Sequence, residues 1–154
     1  MDFKTIQNQR QWAQYDGQSI ANVTYVYVLN RQVSRLFGSS DILYIGKTLQ
    51  TMSRRFRQET TVNNTLGNTQ HTNIRLTHLF GHLNLANVIC YFTAQTDCPF
   101  QNADPILQHL QVWDKRCYRR CVTSGNPVVI SLEKRLLVTY AVDHGEVPPL
   151  NNRM

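Results

Sequence analysis

The sequence predicts an α+β domain: a small three-stranded, mainly antiparallel β-sheet flanked by helices, with a helical insertion. Three observations lead there. Two runs dense in β-branched and aromatic residues, VTYVYVL (23–29) and ILYIG (42–46), lie close enough in the chain to pair as a hairpin. A third run, VICYF (88–92), supplies another strand. Between and after these runs the apolar residues recur at helical spacing, and the order β-β-α followed by α-β-α-α is that of an α+β protein.

Residues 1–20 are polar and glutamine-rich, with Trp12 and Tyr15 three apart, and predict a short helix or N-terminal arm that packs its aromatics on the body. The first strand is 23–29. A long connection, NRQVSRLFGSSD, turns through Gly38-Ser39-Ser40 into the second strand at 42–46. Next, KTLQTMSRRFRQ places Leu49, Met52 and Phe56 at i, i+3 and i+7, an amphipathic helix with Thr51 as N-cap. Residues 60–73 read as a polar loop, RLTHLFGHL as a helix, and DCPFQNADP as a further loop. Asp104-Pro105 pairs an N-cap with proline at the first helical position, opening a helix through ILQHLQVWDKRCYRRC. VVISLEKRLLVTYAV then predicts a longer helix that ends near Gly145. The insertion is placed at about 97–125, inside a single domain spanning 1–154.

Composition narrows the function. The chain has 154 residues, 42% hydrophobic and 17% charged, enough for one core and too few charges for a disordered polyelectrolyte. Sixteen Lys and Arg against ten Asp and Glu leave a net charge of +6, and twelve of the sixteen are arginine. Arginine grips phosphate in a bidentate fork, so an anionic partner is expected. The stretch from Leu76 to Thr96 is broken by two His, two Asn and a Gly, so no membrane span is expected. The opening MDFKTIQNQRQW lacks the apolar segment of a signal peptide. With four cysteines, that suggests reduced thiols and a cytoplasmic location. Cys117-x-x-x-Cys121, with Cys98 and a histidine, does not have the spacing of a zinc knuckle or ribbon, and Cys90 reads as core.

One constellation carries chemistry. Tyr25-Val26-Tyr27 ends in a tyrosine on the first strand, and Tyr44-Ile45-Gly46, followed by Lys47, lies on the second. Met52-x-x-Arg55-Phe56 follows on a helix, Leu132-Glu133 opens a distal one, and Pro149-Leu150-Asn151 comes near the end. In order and topology this set resembles the GIY-YIG nuclease family. The resemblance runs from Tyr25 to Asn151, with no matching motif between about 60 and 128.

The resemblance implies a metal-dependent endonuclease that hydrolyses DNA phosphodiester bonds without a covalent intermediate, as a stand-alone restriction- or phage-type enzyme. It puts Tyr27 in the first motif's tyrosine position, Tyr44 in the intact YIG, and Arg55 rather than Arg54 as the catalytic arginine. It makes Glu133 the ligand of Mg²⁺ (or Mn²⁺) and Asn151 the closing asparagine. Each fits the reaction physically. One carboxylate holds a hard ion that keeps most of its waters. Arg55 can clamp a non-bridging oxygen as charge builds. Tyr27 or Tyr44, near Lys47, can orient or deprotonate water if a cation lowers the phenol below its usual value near 10; the family pattern favours Tyr27.

Two positions depart from the family pattern. Tyr25 replaces the first glycine, either crowding the site or adding a hydroxyl on the face of Tyr27. Glu59 stands where many members carry histidine, which leaves His71 and His78 as substitutes. Arg54, Arg57, Lys115, Arg116, Arg119 and Arg120 are expected to contact the nucleic-acid backbone. A single site per chain implies a homodimer for double-strand cleavage. Two further readings remain: a scaffold that binds nucleic acid with catalysis lost, and a nuclease for RNA or for branched or single-stranded DNA.

Overall fold

In the computed structural model, the described residues are 1–55, 88–100, 128–151 and the positions 109, 111, 112, 115, 116, 118 and 119, with the backbone alone for 97–100 and 128–130. The elements in chain order are α1 (Phe3–Gln7), β1 (Ala13–Gln14), β2 (Ala21–Ser34), β3 (Ser39–Thr51), β4 (Val88–Ala94), β5 (Asp97–Phe100), β6 (Val128–Ser131) and α2 (Leu132–His144). The class is α+β as expected, but the main sheet has four antiparallel strands, ordered β1-β4-β2-β3, and β5 and β6 form a separate two-stranded sheet.

Strand β2 is central, flanked by β3 and β4, and its residues from Val23 to Leu29 are buried without interruption. Such a run reads as continuous apolar sequence because both faces of the sheet are covered. Val23, Tyr25, Tyr27 and Leu29 pack on one face with Tyr44, Met52, Cys90 and Phe92. Val26, Val28, Ile42 and Ile45 pack on the other with Leu132, Leu136, Leu137 and Tyr140 of α2 and with Phe3 and Ile6 of α1. A register shift between Tyr27 and Val28 leaves Leu43 bulged, so Leu43 and Tyr44 join the same core.

Several expectations about the elements are corrected. Residues 30–34 and 39–41 extend the strands, so the hairpin turns within residues 35–38, closed by the Arg35 amide donating to the Gly38 carbonyl at 2.9 Å. Strand β3 runs on through Thr51, and the helix begins only at Met52, with residues 52–55 described. Leu49 therefore sits on a strand, 78% exposed, because residues 47–51 pair across to 21–24 of β2. VVIS forms β6 rather than the start of a helix, in keeping with its β-branched residues. Asp97–Phe100, expected as loop, is its partner strand, and Pro99 is accommodated because a two-stranded sheet has only edges. The N-terminal arm also donates β1 to the edge of β4.

Helix α2 has clear signals at both ends. Ser131 is the N-cap, its hydroxyl accepting from the Lys134 amide at 3.3 Å, and Gly145 closes the helix in the left-handed region at φ 72°. Arg35 and Glu146 (3.3 Å) and the Phe37 amide on the His144 carbonyl (3.0 Å) tie the hairpin tip to that end. Positions described between 109 and 119 are helical, as expected of the helix through ILQHLQVWDKRCYRRC. The 60–73 loop, the RLTHLFGHL helix and the Asp104-Pro105 helix start lie outside the described residues. No helix among the described residues is long and apolar enough to cross a membrane.

Candidate active site

The hairpin places three tyrosines on one face. Side chains alternate along a strand, so Tyr25 and Tyr27 share a face of β2, and Tyr27 lies opposite Tyr44 in register. Their ring centroids are 5.6 Å (Tyr25–Tyr27), 5.9 Å (Tyr25–Tyr44) and 5.7 Å (Tyr27–Tyr44) apart. Tyr25 and Tyr27 are 0% exposed and Tyr44 is 8% exposed. Opposite Tyr25 stands Gly46. A Cβ there would lie 2.6 Å from Tyr44 Cε1, 2.7 Å from Tyr25 Cζ and 2.8 Å from Tyr25 Oη, so the glycine of the YIG tripeptide is the floor on which two rings rest.

Arg55 lies at the border of this cluster: its Nε donates to the Tyr25 hydroxyl at 3.1 Å. On the other face of β3, Lys47 points with Ile45 toward α2, and its Nζ is 3.9 Å from Glu133 Oε2. Lys47 is half exposed and the Glu133 side chain 19% exposed. At that separation and exposure the pair contributes at most about 1 kcal/mol. Burial pushes the Glu133 carboxyl above the usual carboxylate range, while Lys47, Lys134 and Arg55, in that order, pull it back. Arg55 is bonded to the tyrosine cluster, and its charge is the weakest of the three that favour the ionised Glu133.

Residues far apart in the chain are thus brought to neighbouring positions on two faces of the hairpin: Tyr25, Tyr27, Tyr44 and Arg55 on one, Lys47 and Glu133 on the other. Asn151 has a different position. Its carboxamide accepts from the Ile45 amide at 3.0 Å and donates to the Ile45 carbonyl at 2.9 Å, while the Leu150 amide donates to the Leu43 carbonyl at 3.0 Å. Asn151 is 6% exposed and spends both ends of its amide on the outer edge of β3, behind Tyr44 and Gly46. The tail acts there as a short substitute for a fifth strand.

Arg54 is exposed beside Arg55, and Lys115, Arg116 and Arg119 are exposed at helical positions. The side chains of Arg57 and Arg120 lie outside the described residues, as do Glu59, His71, His78, Cys98, Cys117 and Cys121. Cys90 is buried, as expected of a core residue. Among the described residues no group of three or more His, Cys, Asp or Glu side chains converges.

Two groups stand out that the motif pattern did not single out for a role. Tyr25, read as a departure, makes the direct bond to Arg55, and its i, i+2 relation to Tyr27 was the only sequence signal. Thr24 is 0% exposed, lies opposite Lys47 in register, and its hydroxyl has no hydrogen-bond partner among the described residues. Nothing in the sequence marks it. Comparison with protein-family models, with curated proteins and with solved structures gave no significant match.

Proposed function

We propose that the chain is a metal-dependent endonuclease of the GIY-YIG type, hydrolysing DNA phosphodiester bonds. The observation that carries the reading is that the Lys47–Glu133 pair on one face of β3, and Arg55 bonded to Tyr25 of the tyrosine cluster on the other, come from separate stretches of sequence to neighbouring positions of the hairpin. A carboxylate flanked by cations at a sheet end can serve an anionic substrate in a way that an ordinary surface ion pair does not.

The donor chemistry suits a hard divalent ion. Glu133 offers one oxygen ligand with partial solvent access, which leaves the remaining positions to water and phosphate oxygens. Mg²⁺ or Mn²⁺, when bound, supplies charge neutralisation on the phosphate and the leaving oxygen. Arg55 holds a non-bridging oxygen and offsets the charge that grows on it. Lys47, paired with Glu133 on its own face of β3, keeps that carboxylate and the phosphate beside it in a positive field. Exposed Arg54, Lys115, Arg116 and Arg119 supply sequence-independent contacts to the backbone, and two chains acting together cut both strands.

A second reading rests on a specific observation: Tyr25 and Tyr27 are fully buried, so neither hydroxyl meets water in this conformation. That favours a scaffold that binds nucleic acid without cutting it. Incubation with supercoiled plasmid, branched DNA, single-stranded DNA and RNA, in Mg²⁺, in Mn²⁺ and in chelator, separates the two. Divalent-dependent nicking or linearisation of plasmid supports the endonuclease. Binding without cleavage of any substrate establishes the scaffold, and cleavage confined to RNA or to branched or single-stranded DNA reassigns the substrate.

A further inference from the structure

We infer that Tyr25 is a positioning residue whose hydroxyl seats the Arg55 guanidinium at the catalytic end of the sheet, and that Gly46 is glycine to let it do so. The inference rests on the endonuclease reading for its functional consequence, but its geometry stands apart from that reading.

Tyr25 is fully buried, and a buried phenol usually finds a hydrogen-bond partner. Its ring crosses directly over Gly46: a Cβ on Gly46 would lie 2.7 Å from Cζ and 2.8 Å from the hydroxyl oxygen. Gly46 has no positive φ, so the backbone does not demand glycine there. The demand is steric, and it comes from the Tyr44 ring edge, 2.6 Å away, together with the end of the Tyr25 side chain that meets Arg55.

The bond from Arg55 is made by Nε, at 3.1 Å. Nε lies in the plane of the guanidinium and next to the aliphatic stem, so fixing it sets both the plane and the direction of the two terminal nitrogens. A hydroxyl does this without cancelling the charge, as a carboxylate at that point would. Packing alone would be served by phenylalanine at position 25; the hydroxyl is what the geometry uses.

The test joins a structural and a kinetic readout on the full chain. In an NMR spectrum of the arginine side chains, assigned with Arg55→Lys, the Arg55 Nε proton exchanges with water roughly tenfold more slowly than that of exposed Arg54. In Tyr25→Phe that protection is lost while the amide spectrum stays native. On plasmid in Mg²⁺, Tyr25→Phe lowers kcat about tenfold with KM within about twofold. Added to Arg55→Ala, Tyr25→Phe causes no further loss, because it acts through Arg55. Unchanged Nε exchange in Tyr25→Phe overturns the seat. Wild-type kcat in Tyr25→Phe, or a second full loss on the Arg55→Ala background, overturns the positioning role while the endonuclease stands. A protected Nε proton in a wild-type chain that cuts nothing overturns the endonuclease reading and, with it, the catalytic consequence of the seat.

Discussion

Replacing Gly46 by alanine tests the packing on which the candidate site stands. The added methyl would meet Tyr44 Cε1 at 2.6 Å, Tyr25 Cζ at 2.7 Å and Tyr25 Oη at 2.8 Å. Carbon atoms pack best at about 3.5–4.0 Å, so each ring must retreat by roughly 1 Å. Neither has space to do so: Tyr25 is 0% and Tyr44 8% exposed, and both lie against Tyr27 at 5.6 and 5.7 Å between centroids. Overpacking a core of this kind costs about 1–3 kcal/mol, and two rigid rings place Gly46→Ala at the upper end. In a domain of this size that lowers Tm by roughly 6–12 °C. Urea unfolding gives the free energy directly. Tyr25→Ala in the same chain makes room for the methyl, so the double variant should be more stable than the sum of the two losses by about 1 kcal/mol or more. A Gly46→Ala loss below about 0.5 kcal/mol, or strict additivity in the double variant, would show that the rings do not rest on Gly46.

Three other outcomes are expected. Asn151→Ala leaves the amide and carbonyl of Ile45 buried without their partners and costs about 2–4 kcal/mol in urea unfolding; a loss below about 0.5 kcal/mol would mean the tail does not hold β3. Ser131→Ala removes the cap of α2 and costs about 1 kcal/mol, whereas Ser131→Asp retains most of the stability. Glu133 has a folded-state pKa raised above 4.5, so its ionised form is disfavoured by folding. That penalty is absent below 4.5, grows as pH rises toward the raised value and is full above it. Without divalent ions, Glu133→Gln should therefore stabilise the chain at about pH 7 and change nothing at about pH 4; a loss of stability at neutral pH would refute the sign.

The fold was most legible where one physical signal dominated. The run from Val23 to Leu29 reads as a strand because both faces are covered, and Gly145 reads as a helix end because a left-handed residue is needed there. The pattern misled where two signals overlapped. Leu49, Met52 and Phe56 have helical spacing, yet residues 47–51 gain more by pairing with β2, and Leu49 is left in solvent. VVIS was absorbed into the apolar pattern of the helix that follows it, although its β-branched residues favour the strand it forms. Two-residue β1 carries no pattern of its own.

For the site, motif order singled out Lys47 and Glu133, which lie 3.9 Å apart, and Arg55, which bonds Tyr25. It could not locate what depends on the third dimension. Asn151 looks like a site residue in sequence, but its amide satisfies the open edge of β3, a backbone demand that no side-chain pattern records. Tyr25 looked like a defect in a motif and proves to be the partner of Arg55.

Under the proposed function, the end of the sheet bearing Glu133, Lys47 and Arg55 hydrolyses DNA with a divalent ion. Its most direct test is the single-turnover rate of plasmid cleavage in Mg²⁺ by the wild type and by Glu133→Ala, with circular dichroism confirming that both are folded. The expected result is measurable wild-type cleavage that stops in chelator and falls by about 10²–10³ or more in Glu133→Ala. Cleavage by Glu133→Ala at the wild-type rate would contradict it.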